Sequence, residues 1–367
     1  MKSSRWKVHL SRRAVLLLLA LVLCGLAADA TIGRSLAQTP NQHYKVFLPS
    51  LRNIVQAAPA PNSPPLASPS YYFFMRGYTP QKARNFGCQL GTRDKNLPGK
   101  QESLVILDFG LTKYKDGQYG ASGMVINGFY TMDQIADAVQ QFGLGYWDCT
   151  DQDFDSVVHI GIGTNNYNNS SVYSYLSVTY EHGRAWAQMV NRVNEWFVNV
   201  CPNSCNGQVD AAGANDIELA WSSPQAAIDW VGGYDSANLY PLYNFGAAEG
   251  CPNACGGGGY YWTRDQVLKV TNFGPIHSVP EIYLNDGRNA NQWYQLSLYS
   301  AQNYGFPFDF AGVMTTYGAC QQYPGGECEY IDNTPEQGWR QLYERINGSN
   351  PATYDSLPYS TDISWTD

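Results

Sequence analysis

The strongest constraint on this chain is a repeated alternation. Six times, a short apolar run ending in polar residues is followed by a segment with helical spacing. The runs are Ser103–Gly110, Val157–Asn166, Val209–Leu219, Leu239–Gly246, His277–Leu284 and Phe310–Tyr317. Continuous apolar runs of this kind mark strands covered on both faces, as in parallel sheets. The helical segments carry their own signals. Thr131 caps one with Ile135, Ala138, Val139 and Phe142 on a single face, and residues 180–200 carry a stripe of Trp186, Met189, Val190, Val193, Trp196, Phe197 and Val200. Further helices are expected at 224–231, from Thr263, around Trp293–Tyr299 and from Pro335 through Tyr343. Strand–helix units in series require right-handed crossovers onto a parallel sheet. The expected fold is α/β, a TIM-type (β/α)8 barrel with some irregularity. Ser360–Trp365 is a candidate last strand and Gly120–Asn127 a candidate for a strand still to be found. The rival is a doubly wound open sheet, but no Gly-rich phosphate loop or dinucleotide fingerprint follows any strand.

The termini read differently from this repeat. Lys2, Arg5, Lys7, Arg12 and Arg13 precede the apolar stretch Ala14–Leu23, and small-residue cleavage sites follow at Ala28-Asp29-Ala30 and Ser35-Leu36-Ala37. Residues 1–37 are thus expected to be a secretory signal peptide, leaving no membrane span in the mature chain. Residues 38–70 read as a Pro-rich tether with an apolar island at 44–51, and residues 71–367 as one large domain. Cleavage after residue 37 would remove six basic residues and one acidic one. That leaves 17 Lys/Arg against 30 Asp/Glu, a net charge of about −13. Such a chain is a poor partner for nucleic acid or anionic membrane. A secreted or cell-envelope protein, working as a monomer, is the expectation.

Once Cys24 is removed with the signal, eight cysteines remain. An even number in an exported chain predicts disulfides. The close pairs Cys201/Cys205, Cys251/Cys255 and Cys320/Cys328 are expected to pin loops, which leaves Cys88 and Cys149 for each other. Zinc is the rival for such spacings, but no histidine lies near them, so no metal is expected. The four mature-region histidines, His43, His159, His182 and His277, lack metal-ligand spacing. Gly120-Ala121-Ser122-Gly123 lacks the spacing of a nucleophile elbow. No cofactor is called for. Aromatic residues make up 14% of the chain and charged residues only 15%. That balance suits a protein that stacks aromatic faces on sugar rings.

The acids carry the chemistry. Asp108, Asp216, Glu218 and Glu281 all lie on or at the ends of expected strands rather than on helix surfaces. Asp216 and Glu218 are two residues apart, so a strand turns both side chains to one face. In a barrel, polar residues at the carboxyl ends of strands line the active site, and a buried carboxylate is costly unless paired or used. Glycoside hydrolysis needs such a set, one carboxyl as acid and another as nucleophile, base or orienting group.

At these residues the chain resembles barrel glycoside hydrolases. Asp216-Ile217-Glu218 resembles the Asp-x-Glu ending the fourth strand of families 18 and 25, the chitinases and muramidases, although Gly213 stands where the longer chitinase signature has an aspartate. Asp108 resembles the first-strand aspartate of the muramidases. The resemblance implies Glu218 as general acid and Asp216 as its partner. A second resemblance, to the retaining barrels with acids on strands four and seven, implies instead that Glu218 and Glu281 form the pair. The runs Gly-Ile-Gly-Thr-Asn-Asn and Asp-Ile-Glu-Leu are also similar to those of uncharacterised secreted bacterial proteins. Asn165, Asn166, Trp221 and Tyr283 are the expected substrate contacts, through hydroxyl bonding and ring stacking. The expected function is secreted hydrolysis of a cell-wall or environmental polysaccharide. The alternative is a barrel that binds carbohydrate or envelope without cleaving it.

Overall fold

The computed structural model describes residues 63–73, 77–123, 128–168, 177–203, 205–322, 331, 333–348 and 350–365. The expected signal peptide, the apolar island at 44–51, most of the tether and Cys328 lie outside these residues.

The first half of the domain runs β1 (Ser68–Tyr72), α1 (Pro80–Lys95), β2 (Gln101–Lys115), β3 (Gln118–Ser122), β4 (Phe129–Thr131), α2 (Met132–Cys149), β5 (Ser156–Asn165) and α3 (Tyr180–Asn199). The second half runs β6 (Val209–Asp216), α4 (Pro224–Asp235), β7 (Leu242–Asn244), α5 (Arg264–Thr271), β8 (Ile276–Ser278), α6 (Arg288–Tyr304), β9 (Gly312–Thr315), α7 (Tyr317–Gln322), α8 (Pro335–Gly348) and β10 (Tyr359–Ser364). Eight strands are parallel, in the order β8-β7-β6-β5-β2-β1-β10-β9. Parallel bridges Ser278↔Phe310 and Glu281↔Met314 join the two ends, so the sheet closes into a TIM-type (β/α)8 barrel.

In chain order the barrel strands are β1, β2, β5, β6, β7, β8, β9 and β10. The strand that the sequence left unplaced is β1, which begins at Ser68, inside the stretch expected to be tether. Within Gly120–Asn127, residues 120–122 do not supply it, and residues 124–127 lie outside the described residues. Residues 118–122 form β3, which pairs antiparallel with the long β2 and with β4 as a flap outside the barrel order. One consequence is that Asp108 lies on the second barrel strand, not the first.

Period-two alternation separates two cores. Leu104, Ile106, Ala212, Ala214, Tyr243, Phe245, Val279 and Met314 fill the barrel lumen. The opposite strand faces pack against helices, with Val105, Leu107, Ile160 and Ile162 meeting Trp186, Met189, Val190, Val193 and Phe197 of α3. The Trp186 indole donates to the Ile162 carbonyl at 2.9 Å, so even this large ring is hydrogen-bonded in the core. Helix starts follow the expected chemistry. Thr131 and Gln134 form a reciprocal capping box on α2, and Thr263 and Gln266 do the same on α5. Disulfides join Cys88 to Cys149, Cys201 to Cys205 and Cys251 to Cys255. Cys320 is disulfide-bonded as well.

Candidate active site

The lumen-facing residues near the carboxyl ends of the strands include the expected acids. Tyr72 on β1 is in register with Asp108 on β2, Asp108 with Gly163 on β5, and Gly163 with Ala214 on β6. Asp216, two residues past Ala214, carries the same side of β6 to its end. Gly163 makes room for this arrangement, since a Cβ there would lie 3.0 Å from the Asp108 Cα. Beyond β6, Glu218 keeps the parity of Asp216, and both stay buried. Glu281 comes from the segment after β8, three residues past the strand end. It therefore stands on the sixth barrel strand, not the seventh, counting β1, β2, β5, β6, β7 and β8.

Oxygens of Asp216, Glu218 and Glu281 all lie within 4.8 Å of one another. Two full charges at that distance repel by about 3.5 kcal/mol at an effective dielectric of 20, more than two pH units of proton affinity. The set cannot all be ionised at neutral pH. Burial first, then the neighbouring carboxylates, pushes Asp216 and Glu218 well above the usual carboxylate range. Burial pushes Glu281 up to about 8 and Asp108 up to about 7. Glu218 is the hub. The carboxyls of Asp216, Glu281 and Glu249 all neighbour it, and together with burial they raise its proton affinity. The oxygens of Asp216, Glu218 and Glu281 are close enough to surround a cation.

The supporting shell is specific. Tyr283 donates from its hydroxyl to Glu281 Oε1 at 2.6 Å, and burial with the nearby acids keeps that phenol neutral. The Ala247 N–H donates to Glu218 Oε1 at 3.0 Å. Asn166 brackets the backbone of the same residue. Its Nδ2 donates to the Glu218 carbonyl and to Ser222 Oγ, both at 2.9 Å, and its Oδ1 accepts the Glu218 N–H at 3.0 Å. Both amide donors are thus spent on holding Glu218, so Asn166 serves the fold of the site rather than the hydroxyl contact expected of it. Asn165 differs. Its Oδ1 accepts from the Tyr167 N–H, while its buried Nδ2 has no partner among the described residues. Asp108 Oδ2 and Asp216 Oδ1 are also buried without partners. An unpaired donor beside unpaired acceptors suits a ligand carrying both, as hydroxyl-bearing rings do.

Trp221 is half-buried at the rim, edge-on to Tyr167 with ring centroids 5.8 Å apart. The sequence reading missed three groups. Tyr72 stands in the lumen with its ring edge-on to Trp365 at 6.0 Å, the latter from the stretch just after β10. Their parity on short first and last strands was the available signal. Glu249 lies in the loop after β7, where no periodicity marks it. The missing chitinase-type aspartate also has a physical reason. A Cβ at Gly213 would fall 2.4 Å from the Tyr234 ring, whose hydroxyl accepts the Gly213 N–H at 2.9 Å.

No protein-family model matches the chain, and no curated protein matches it. Among solved structures it is similar to a sugar phosphate isomerase/epimerase from Parabacteroides distasonis, with a TM-score of 0.38 and 8% identity over 85% of this chain and 91% of that one. It is also similar to a GH5-4 broad specificity endoglucanase from an uncultured bacterium, with a TM-score of 0.35 and 11% identity over 78% and 76%. At these scores the likeness assigns no activity; the barrel rests on its own strand order and closing bridges.

Proposed function

We propose that this chain is a secreted glycoside hydrolase acting on a polysaccharide, with Glu218 as general acid and Glu281 as its catalytic partner. The observation that carries the reading is the clustering of Asp216, Glu218 and Glu281 oxygens within 4.8 Å at the carboxyl end of a closed barrel. Retaining glycosidases hold their two carboxyls about 5–5.5 Å apart, whereas inverting ones leave about 6.5–9.5 Å for a water. The close set favours retention. The Tyr283 hydroxyl donates to Glu281 and offsets part of the burial effect that raises its pKa to about 8, so the reactive carboxylate forms as pH rises toward that value. Glu218 keeps the proton.

In the first step Glu218 protonates the glycosidic oxygen as its bond to the anomeric carbon breaks, and the Glu281 carboxylate bonds to that carbon. Water then attacks the glycosyl–enzyme ester, giving its proton to Glu218 and releasing Glu281. Asp216, beside Glu218, orients the bound ring. Asn165 Nδ2 donates to a ring substituent, and Trp221 with Tyr167 supplies a stacking edge at the rim. The disulfides and the apolar leader support an extracellular or envelope location. The reading is tested by following the anomeric configuration of the first-formed product by proton NMR. Retention is expected; inversion would rule out Glu281 as nucleophile.

A further inference from the structure

The loop between β7 and α5 grips the acid-bearing segment from one side. Within it, the Cys251–Cys255 disulfide closes a short turn in which Gly256 N–H donates to the Glu249 carbonyl at 2.8 Å and Ala254 N–H to the Gly250 carbonyl at 3.0 Å. From that turn three bonds cross to residues 218–219. Ala247 N–H reaches Glu218 Oε1 at 3.0 Å, Leu219 N–H donates to Glu249 Oε2 at 3.0 Å, and the Trp262 indole donates to the Leu219 carbonyl at 2.8 Å. Glu249 is the only carboxyl of this loop, half-buried, and its carboxyl, held at Leu219 N–H, neighbours that of Glu218 and raises its proton affinity.

We propose that Glu249 is a positioning residue for Glu218, a carboxylate on a disulfide-clipped loop that fixes the Glu218 side chain in the lumen and helps keep its proton in place. The proposal rests on Glu218 being the working acid of this site. A carboxyl group held beside an acid opposes loss of that acid's proton. Glu218 is faced by Asp216 on its own strand, Glu249 from this loop and Glu281 from the segment after β8. Tyr72 from β1 feels its charge as well. Glu249 is the one of these acids that also anchors the neighbouring backbone, through Leu219 N–H. It is therefore the one whose loss alters the proton without removing a lumen-facing acid.

The test is a titration of Glu218, followed by carbon NMR on glutamate labelled at the carboxyl carbon and assigned with Glu218→Gln. Glu249→Gln keeps an acceptor for Leu219 N–H but removes the charge, and the Glu218 midpoint falls by about one pH unit. Glu249→Asp withdraws the charge by one methylene and lowers the midpoint by less, and it carries the test alone should the Gln variant fail to fold. Where activity is measured, the alkaline limb of kcat/KM moves down with the midpoint. A Glu218 midpoint unchanged in the folded variants overturns the proposal. Because the titration uses no substrate, a wild type inactive on every glycan sinks the glycosidase reading but not this result. An active enzyme whose Glu218 ignores Glu249 sinks this proposal alone.

Discussion

At the scale of single residues, the site is a problem of proton placement. Asp108 is fully buried, with one carboxyl oxygen on Gly110 N–H at 2.9 Å and the other unpaired among the described residues. Its affinity for a proton is raised from 3.8 to about 7. The folded state therefore holds this proton more tightly than the unfolded chain. Below about pH 4 both states are protonated and burial carries no charge penalty; as pH rises toward 7 the folded state progressively loses stability, by up to about 4 kcal/mol. Asp108→Asn, which keeps the acceptor for Gly110, should stabilise the fold at pH 8 and leave it nearly unchanged at pH 4, checked by denaturant unfolding at both. Glu281, raised to about 8, adds a loss of the same sign. Asn165→Ala should weaken glycan binding or turnover through loss of its Nδ2 donor and lower stability by about 1 kcal/mol, because Tyr167 N–H loses its Oδ1 acceptor, read from initial rates and unfolding curves. The acids on strands were legible from parity alone, since Asp216 and Glu218 had to share a face. Asn166 was not, because only the folded turn reveals that both its donors go to residues 218 and 222. Glu249 was invisible for a similar reason: a loop has no period to read.

At the scale of elements, short connections hold the catalytic ends together. A Cβ on Gly246 would lie 2.4 Å from the Ile217 carbonyl oxygen, so Gly246→Ala must push back the backbone between Asp216 and Glu218. It is expected to cost about 1–3 kcal/mol and to slow turnover at least tenfold, read from unfolding curves and initial rates. The disulfides divide by loop length. Cys88–Cys149 closes 61 residues between α1 and α2, and its removal is expected to cost about 4 kcal/mol. Loss of Cys201–Cys205, closing four, should cost about 2 kcal/mol, a difference that unfolding of Cys→Ser pairs measures. Long strands such as β2 and β5 were legible as apolar runs. β1, five residues long, was the barrel strand left unplaced, whereas β7 and β8 were expected and are only three residues each, shorter than their apolar runs. Pro241 stands just before β7 and Pro280 just after β8, and a residue without an N–H cannot extend a ladder.

At the scale of the whole molecule, the alternation of strand and helix was enough to reach an eight-stranded parallel barrel, because few other topologies bury so many two-faced strands. Closure was not legible. It depends on the bridges Ser278↔Phe310 and Glu281↔Met314, which lie outside the regular strands. Closure is also what brings Glu281 to Glu218, so sequence spacing left open whether Glu218 pairs with Asp216 or across the barrel. The folded arrangement gathers all three, with Tyr283 on Glu281 and the Asn166 bracket on Glu218. The most direct test of the central claim is release of reducing sugar from a panel of peptidoglycan, chitin and plant glucans by wild type and Glu218→Gln, with glycan binding measured in parallel. Release from at least one polymer is expected, with a loss of about 10²–10⁴-fold in the variant and binding retained. Binding without release by the wild type, or equal release by both proteins, would contradict that claim.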